Sequence, residues 1–471
     1  MPLSDESHKL FCVSSLSNGE SLLMSKHERK SSNQSISQSG SNDPRQWGAP
    51  TLIGLGLILL LSFSVRLAWV HHIDPRLYPR TVGVGNEHFL GWDGVRYDDI
   101  AENLLSNAGY GYHANQPDAW RPPGYPFFLY AAYRLFGHDY DVIRILQVVM
   151  GCLTSLILFL LTLKLTRSKK VSLIAGFLFA IDYYSVLFTS IFYTELFTGF
   201  LSLFAIYLFV LADERKGKKF ALFFSLASLV FWYAVLCRPS NILFWAWIAI
   251  WIYAQHRHHI RRVVISAVII IATFGVTVLP WTIRNYQLYG KFLLISSNGG
   301  FVFFMAHHPI SNGGFIPEGM RYSEQQKSEM KGTGPIERDK THYRFGLDFI
   351  KRNPRRSIEL AFIKQKWLWL SRENRGMIFD FIPKIPFPLL TFYPLAALAV
   401  LGLLFERKRW KQLQLVLGFI LFHAGSLSLI YLYHGPRTRI TMIPFLVIFS
   451  SLGLVAFFGF VRRFWKKMSP H

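Results

Sequence analysis

Acidic, aromatic and basic side chains follow the first hydrophobic segment of this chain in a pattern that could support chemistry at a membrane surface. Asp93 begins the sequence DGVRYDDIAENLL, whose apolar positions recur every three to four residues. This period predicts a short amphipathic helix from Asp93 to Asn107, which Gly109 can end. Asp93 then lies in the first turn, four residues before Tyr97. Its carboxylate can cap free N–H groups, present an oxygen to a substrate, or do both.

A lone arginine precedes two prolines in the sequence AWRPPGYP. Pro122 and Pro123 cannot continue a helix, and the first of them restricts Arg121 to an extended backbone. An aromatic, interfacial run from Tyr125 to Phe136 follows. A guanidinium on such a stiff segment can snorkel to lipid headgroups, or its fork of N–H donors can bind a lipid-linked phosphate. Both roles are open for Arg121.

Further ionisable residues lie inside or beside the predicted spans. Asp182 lies toward the outer end of the third span and Glu195 at the outer start of the fourth. Such groups are costly in a membrane and tend to face a cavity or a partner. Four arginines fall on the same side: Arg238, Arg284, Arg437 and Arg439. A structural ion pair, such as one between Glu195 and Arg238, would account for the position of any single one of these residues. For the group as a whole, we expect the side chains to converge near Asp93.

The composition indicates an all-α polytopic membrane protein. The chain is 51% hydrophobic and only 17% charged, against roughly 25% charged residues in soluble domains. Apolar stretches long enough to cross a bilayer recur along it. We predict about ten transmembrane helices, near residues 51–70, 142–163, 171–190, 192–211, 220–236, 240–254, 263–282, 387–404, 412–432 and 441–461. The net charge of +23 does not indicate nucleic acid, because the basic residues flank these spans.

The distribution of Lys and Arg predicts the orientation of the chain. The basic residues concentrate in the short loops 164–170, 213–219, 255–262 and 405–411 and in the tail 462–471. By the positive-inside rule these segments are cytoplasmic, and so are both termini. Two long loops, 71–141 and 283–386, then lie outside the plasma (inner) membrane. Residues 1–46 are polar and predict a disordered cytoplasmic tail.

The second long loop is predicted to fold. The NGG sequences at 298–300 and 312–314 are typical of turns between short strands. Residues 340–352 and 354–371 predict helices, the second with Pro354 as a favourable first residue. We therefore expect a small mixed extracytoplasmic cap above the spans, within one unit from 47 to 461. No convincing metal-ligand spacing is present.

These motifs together resemble the GT-C superfamily of membrane glycosyltransferases, in particular the aminoarabinose transferase and protein O-mannosyltransferase branch. The family motif D-E-x-R-Y is similar to Asp93-Gly94-Val95-Arg96-Tyr97, with Gly94 in place of the second acid. RPPGYP, the YTE before the fourth span, PWTIRN, NPRR and RTR before the last span also resemble this family. The likeness covers roughly residues 51–460.

The resemblance implies a sugar donor on a polyprenyl phosphate, an active site on the outer face and inversion of the anomeric carbon. The implied acceptor is an envelope component, namely lipid A, core oligosaccharide, a glycan or a protein. Membrane lipids are the other expected partners, and no nucleic acid is expected. The resemblance implies no cofactor that the motifs support; a divalent metal is left open, but Gly94 in place of the second acid weakens the case for one. Asp93 is left as the only obvious base of the motif.

Roles for the site residues follow as a hypothesis. Asp93 would take the proton of an acceptor hydroxyl, with Tyr97 positioning its carboxylate and Glu195 orienting a substrate or Arg238. The charge of the leaving phosphate would be met by arginines held in place beforehand, drawn from Arg121, Arg238, Arg284, Arg437 and Arg439. Arg121 with Arg437 or Arg439 are the best candidates. If the acceptor is itself a phosphate, no base is needed and Asp93 would only orient.

Two functions of another class remain alternatives. A secondary transporter or lipid flippase would also place charges near lipid, but such proteins usually carry paired repeats and broken helices near the midplane. Neither feature is found in the sequence. A non-catalytic assembly component or a polymerase-like component is the other alternative.

Overall fold

The computed structural model describes residues 47–73, 92–370, 392–432 and 437–468. The chain divides into Met1–Pro50 and Thr51–His471, and the predicted tail 1–46 lies outside the described residues. The described part is almost entirely helical. Its helices are α1 Ala49–Ala68, α2 Trp92–Leu105, α3 Gly124–Phe136, α4 Tyr140–Thr166, α5 Lys169–Ala180, α6 Tyr183–Leu187, α7 Thr194–Asp213, α8 Gly217–Cys237, α9 Phe244–His256, α10 Ile260–Thr277, α11 Leu279–Tyr289, α12 Gly299–Ala306, α13 Glu324–Met330, α14 Pro335–Arg352, α15 Pro354–Leu370, α16 Phe392–Phe405, α17 Trp410–Leu429, α18 Arg437–Ile440 and α19 Ile443–Met468.

Seven helices of the described part are long and apolar enough to cross a membrane. They are Ala49–His71, Tyr140–Thr166, Thr194–Asp213, Gly217–Cys237, Ile260–Thr277, Arg407–Leu429 and Ile443–Lys466. The prediction of a polytopic helical membrane protein is therefore confirmed, and seven of the ten predicted spans have a helix of the required length. The remaining three correspond to the shorter helices α5, α9 and α16. α7 is the most enclosed span, with 72% of its apolar window buried inside the structure.

The third predicted span is shorter than expected because a buried arginine caps its helix. α5 ends at Ala180, and Arg66 of α1 donates to the carbonyls of Ala180 at 3.0 Å and Phe179 at 3.2 Å. A cation at these free carbonyls stabilises the C-terminal end of a helix. Asp182 then begins the next helix, α6, because its carboxylate accepts from the backbone N–H of Ser185 at 2.8 Å.

The second long loop contains the predicted helices but not the predicted strands. α14 and α15 are present, and Pro354 is the first residue of α15. At the first NGG sequence, however, Gly299 begins the helix α12. A side chain at Gly300 would stand 2.0 Å from the backbone oxygen of Asp339, so this glycine allows α12 to pack against α14. Within the described residues, β pairing is limited to one isolated bridge between His113 and Gln116, and the expectation of a mixed cap was wrong in this respect.

The start of α3 lies directly against the end of α8. A Cβ at Gly124 would meet the backbone nitrogen of Cys237 at 2.7 Å, so only glycine allows this approach. The contact brings the RPP segment, which precedes α3, beside Arg238, which follows α8. The hydroxyl of Tyr233 on α8 also donates to the Gly124 carbonyl at 2.9 Å. Two arginines from distant parts of the sequence are thereby brought to one place.

Candidate active site

Asp93 lies in the first turn of α2 and is held by arginine on both oxygens. Its Oδ1 accepts from Nη2 of Arg121 at 2.6 Å, and its Oδ2 lies 2.8 Å from Nη2 of Arg437. The Asp93 side chain is only 18% exposed, so these contacts are largely shielded from water. Asp93 thus connects the first long loop to the short helix that precedes the last span.

Arg121 is fixed by aromatic groups as well as by Asp93. Its Nε donates to the hydroxyl of Tyr112 at 2.8 Å, and its guanidinium lies 5.5 Å from the centre of the Tyr97 ring. The Tyr110 hydroxyl donates to the Arg121 carbonyl at 2.9 Å. Burial alone lowers the pKa of Arg121, but the Asp93 carboxylate and the two tyrosines raise it more, so the pKa lies above its ordinary value. The extended backbone required before Pro122 therefore presents a fixed, charged guanidinium.

Glu195 lies in the first turn of α7 and is fully buried. Its Oε1 accepts from Nε of Arg437 at 2.8 Å and lies 3.2 Å from Nη1 of Arg238. The predicted ion pair between Glu195 and Arg238 is thus present, and Arg437 shares the same oxygen. The other oxygen, Oε2, has no hydrogen-bond partner among the residues that the structure describes. Tyr193, just before α7, places its ring 4.3 Å from the Arg437 guanidinium.

These contacts form an alternating row of charges, in the order Arg121, Asp93, Arg437, Glu195, Arg238. Arg437 is its centre, because it contacts both carboxylates. Burial lowers the pKa of Arg437, but Glu195 and Asp93 raise it more, to well above the ordinary value. With three guanidiniums and two carboxylates, the row carries one net positive charge.

The whole row lines one cavity of about 210 Å³. The remaining walls come from residues near these five in the sequence, from the second long loop and from the segment before α18. The lining residues are Asp93, Tyr97, Trp120, Arg121, Pro122, Thr194, Glu195, Cys237, Arg238, Pro239, Asn298, Gly299, Phe301, Val302, Phe315, Tyr431, Leu432 and Arg437. Apolar side chains together with a row of charges would suit an amphiphilic substrate with a charged head.

Six of the eight residues predicted for the site therefore meet in this cavity, and Arg284 and Arg439 do not. Arg284 donates to the backbone oxygens of Asp118 at 2.7 Å and Tyr110 at 3.1 Å. Arg439 is fully buried and donates to the carbonyls of Leu368 at 2.7 Å and Trp367 at 3.1 Å, at the end of α15. Both arginines hold backbone in place, and neither lines the cavity.

Tyr97 is buried one helical turn beyond Asp93. Burial raises the pKa of Tyr97 to about 12, although the Arg121 guanidinium acts in the opposite direction, so the phenol is neutral at physiological pH. The Tyr97 ring packs edge-on against Tyr125, with ring centres 5.4 Å apart. The structure places Tyr97 beneath Arg121, where it supports the arginine that binds Asp93.

Sequence analysis missed three polar contacts of this region. Tyr112 and Tyr193 touch the two arginines of Asp93, and only the place of Tyr193 as the first residue of the YTE motif could have indicated this. Asp98, five residues after Asp93, points to another face of α2. It accepts hydrogen bonds from the hydroxyls of Tyr133 at 2.5 Å and Tyr140 at 2.7 Å. These two hydrogen bonds hold α2 against α3 and α4.

The donor set of the cavity suits an anion better than a metal ion. Its two carboxylates, on Asp93 and Glu195, each lie within 3 Å of an arginine nitrogen, whereas divalent cations require oxygen ligands free of competing cations. No group of three or more His, Cys, Asp or Glu that could hold a metal occurs in the described ranges.

Comparison with known families gives a match over the middle of the chain. A family model described as dolichyl-phosphate-mannose-protein mannosyltransferase matches residues 120–281, about a third of the sequence. The matched part begins beside Arg121 and includes Glu195 and Arg238. A comparison with curated proteins finds no match.

Solved structures match over almost the whole chain. The archaeal oligosaccharyltransferase AglB from Archaeoglobus fulgidus, in complex with an inhibitory peptide and a dolichol-phosphate, has a TM-score of 0.54 at 15% identity, covering 91% of this chain and 52% of that one. Its apo form gives 0.53 at 14% identity, covering 92% and 53%. ArnT from Cupriavidus metallidurans bound to undecaprenyl phosphate gives only 0.37 at 12% identity, covering 86% and 78%, which supports no argument. The chain spans about half the length of AglB, and the likeness to it is one of fold.

Proposed function

We propose that this chain is a membrane glycosyltransferase of the GT-C superfamily, which transfers a sugar from a polyprenyl-phosphate donor to an acceptor of the cell envelope, with inversion. The reaction takes place at the outer face of the plasma membrane, and both termini are cytoplasmic. In this proposal the shorter helices α5, α9 and α16 complete ten membrane crossings. The second long loop covers the site from outside.

The alternating row of charges is the observation that carries this proposal. A sugar joined to a polyprenyl phosphate is a phosphodiester with one negative charge, which the single net positive charge of the row would balance. When the sugar leaves, the phosphodiester becomes a monoester, whose total charge approaches −2 at neutral pH. If Asp93 accepts the acceptor proton in the same step, the row gains one positive charge as the phosphate gains one negative charge. The cavity is therefore balanced before and after transfer.

In this mechanism the acceptor hydroxyl oxygen bonds to the anomeric carbon, on the side opposite the phosphate. The bond between that carbon and the phosphate oxygen breaks, and its electron pair leaves with the polyprenyl phosphate. The hydroxyl proton passes to Asp93. Arg121, Arg437 and Arg238 surround the position where charge develops, and they are already ordered by Asp93, Glu195 and the tyrosines. Charges held in place beforehand stabilise such a transition state efficiently.

Donor binding changes the accessibility of the Asp93 carboxylate, because Arg121 and Arg437, which bind that carboxylate, are also candidate ligands of the donor phosphate. As the phosphate attracts Arg121 and Arg437, the Asp93 oxygens become accessible to the acceptor. Glu195 keeps hold of Arg437 and Arg238 through Oε1, and its Oε2, which has no hydrogen-bond partner in the described part of the chain, is suited to accept from a sugar or acceptor hydroxyl.

The test uses the purified full chain in liposomes with polyprenyl-phosphate sugars labelled in the sugar, and with an envelope glycolipid extract as acceptor. We expect free polyprenyl phosphate to be released, and label to enter the extract, only when both substrates are present. Movement of intact donor across the bilayer without cleavage would instead support a flippase. Release at the same rate without the extract would contradict transfer to an acceptor.

A further inference from the structure

A second cavity lies at the other end of the helix that carries Glu195. Glu195 is at the first turn of α7, and Asp213, which lines the second cavity, is its last residue. At about 1.5 Å per residue, the two cavities are separated by roughly 27 Å, close to the thickness of a bilayer core. The second cavity has a volume of about 780 Å³, far larger than the first. It lies at the end predicted to be cytoplasmic.

Cations from two parts of the chain line this cavity. Lys164 and Arg167 come from the end of α4, and Lys408, Arg409 and Lys411 come from the turn before α17 and from its start. The acids among its described lining residues are Asp213 and Glu214. Both are engaged, because Lys164 pairs with Glu214, and Asp213 contacts His256 at 2.7 Å. The cavity therefore has an excess of positive charge.

Two of the five cations of the cavity, Lys164 and Arg409, form ion pairs with carboxylates, and the other three do not within the described residues. Arg409 donates to the backbone oxygen of Thr166 at 2.5 Å and pairs with Glu406 at 2.8 Å, which joins the turn before α17 to the end of α4. Arg167, Lys408 and Lys411 are exposed, and among the described residues no carboxylate lies within ion-pair distance of them. These three cations are available to a ligand.

The rest of the lining is partly apolar. Leu165, Val210, Trp251 and Leu415 contribute hydrocarbon surface between the ends of four predicted spans. A soluble anion would gain nothing from such a surface, whereas a membrane lipid places glycerol and acyl carbons beside its phosphate. We propose that this cavity binds the phosphate headgroup of an anionic membrane lipid, with the cations on the phosphate and the apolar residues on the lipid carbons.

The proposal does not depend on the proposed transfer reaction, because it concerns the far end of the bundle. Its test compares two variants of the full-length protein. In the first, Arg167, Lys408 and Lys411 are changed to Ala. In the control, Lys216, Lys218 and Lys219 are changed to Ala, which removes the same charge from exposed positions at the same end of the bundle that do not line the cavity.

Each protein is purified in detergent, and the retention of phosphatidylglycerol against phosphatidylcholine is measured by native mass spectrometry. Each basic residue near a membrane surface strengthens the binding of an anionic lipid by about fivefold. Loss of three cations should therefore weaken the affinity for phosphatidylglycerol on the order of a hundredfold. The control variant should bind this lipid about as well as the wild type. Equal losses in the cavity variant and the control would show a general surface attraction and overturn the proposal, as would no loss in either. Glycerol 3-phosphate competing as strongly as the lipid would show a soluble ligand and overturn it too.

Discussion

The cavity around Asp93 and the packing contact around α15 both contain buried cations, but they hold them in different ways. In the cavity, Arg121, Arg437 and Arg238 lie against carboxylates. At α15, Arg439 binds backbone carbonyls, and the buried Lys364 ammonium has no hydrogen-bond partner among the described residues. Carboxylates can give up an arginine to a phosphate at small cost, since one anion replaces another. If an arginine left the carbonyls at the end of a helix, those carbonyls would lose their hydrogen bonds and no other donor would replace it.

The groups that hold each arginine therefore determine whether it can take part in chemistry. Arg437 and Arg439 are two residues apart on one short helix, yet only the first lines the cavity. Substitutions in the cavity should therefore lower turnover and leave the fold in place, while substitutions at α15 should change stability and leave turnover in place. Variants at the two places can test this division.

Asp93→Asn should give the largest loss of activity. The amide keeps the shape of the side chain but cannot accept the acceptor proton, and a positioned general base contributes typically 10²–10⁴-fold. We expect kcat/KM for sugar transfer to fall by about that factor, with the thermal unfolding midpoint lowered only modestly. The matched control is Asp99→Asn on the same helix, where the carboxylate is partly exposed and lies 3.5 Å from Arg96. Near-normal turnover of Asp93→Asn would remove the base from the mechanism.

The pair Arg437→Lys and Arg439→Lys tests the division directly. A lysine at 437 cannot contact both carboxylates, and we expect turnover to fall on the order of 10²–10³-fold, as for loss of a preorganised charge donor. A lysine at 439 cannot reach both carbonyls at the end of α15. Each lost bond to a charged group is worth about 1.5–3 kcal/mol, so the unfolding midpoint should fall while turnover per folded molecule stays within a few-fold. The opposite pattern in the two variants would contradict the division.

The sequence was sufficient to predict the convergence at Asp93 because two independent signals agreed. The apolar period from Asp93 predicted α2, and the placement of basic residues put Glu195 and the arginines on one side. It could not separate Arg437 from Arg439, because both satisfy the same argument. Their roles depend on which side chain of a single helical turn faces Glu195 and which faces α15, and that is set by tertiary packing.

The glycines of the second long loop show another limit of the sequence. An NGG sequence is compatible with a turn between strands and with a helix whose first residues approach another backbone closely. Only the position of α14 against Gly300 distinguishes the two, and that contact joins residues far apart in sequence. Asp182 is a similar case, since the early end of α5 depends on Arg66, more than a hundred residues away.

Arg284→Lys should have an intermediate effect, because Arg284 positions the residues that hold Arg121. Its bonds to the backbone of Tyr110 and Asp118 fix the segment from which Tyr112 reaches Arg121. We expect kcat/KM to fall by about tenfold, mainly through a higher KM for the donor, since the phosphate-binding guanidinium is less well placed. A fall in kcat alone, with KM unchanged, would argue against this positioning role.

Lys364→Met should leave turnover unchanged and alter only the dependence of stability on pH. The Lys364 side chain is fully buried in α15, and burial lowers its pKa from the ordinary value of 10.5 to about 8. The unfolded chain therefore binds more protons than the folded chain between about pH 8 and 10.5. Over that window the wild type should gain up to about 1.4 kcal/mol of stability per pH unit relative to the variant, and below it the variant should be the more stable.

The control for this last comparison is Lys366→Met, two residues further along α15, where the lysine is exposed. Thermal unfolding midpoints of the three proteins are measured from pH 7 to pH 10.5 in the same detergent, so that other groups titrating in this range cancel in the differences. We expect Lys366→Met to run parallel to the wild type and Lys364→Met to converge with it as the pH rises. Parallel curves for all three proteins would mean that the folded protein solvates the Lys364 ammonium. The buried cations at α15 and in the cavity would then both have their charge stabilised, and they would differ only in the groups that contact them.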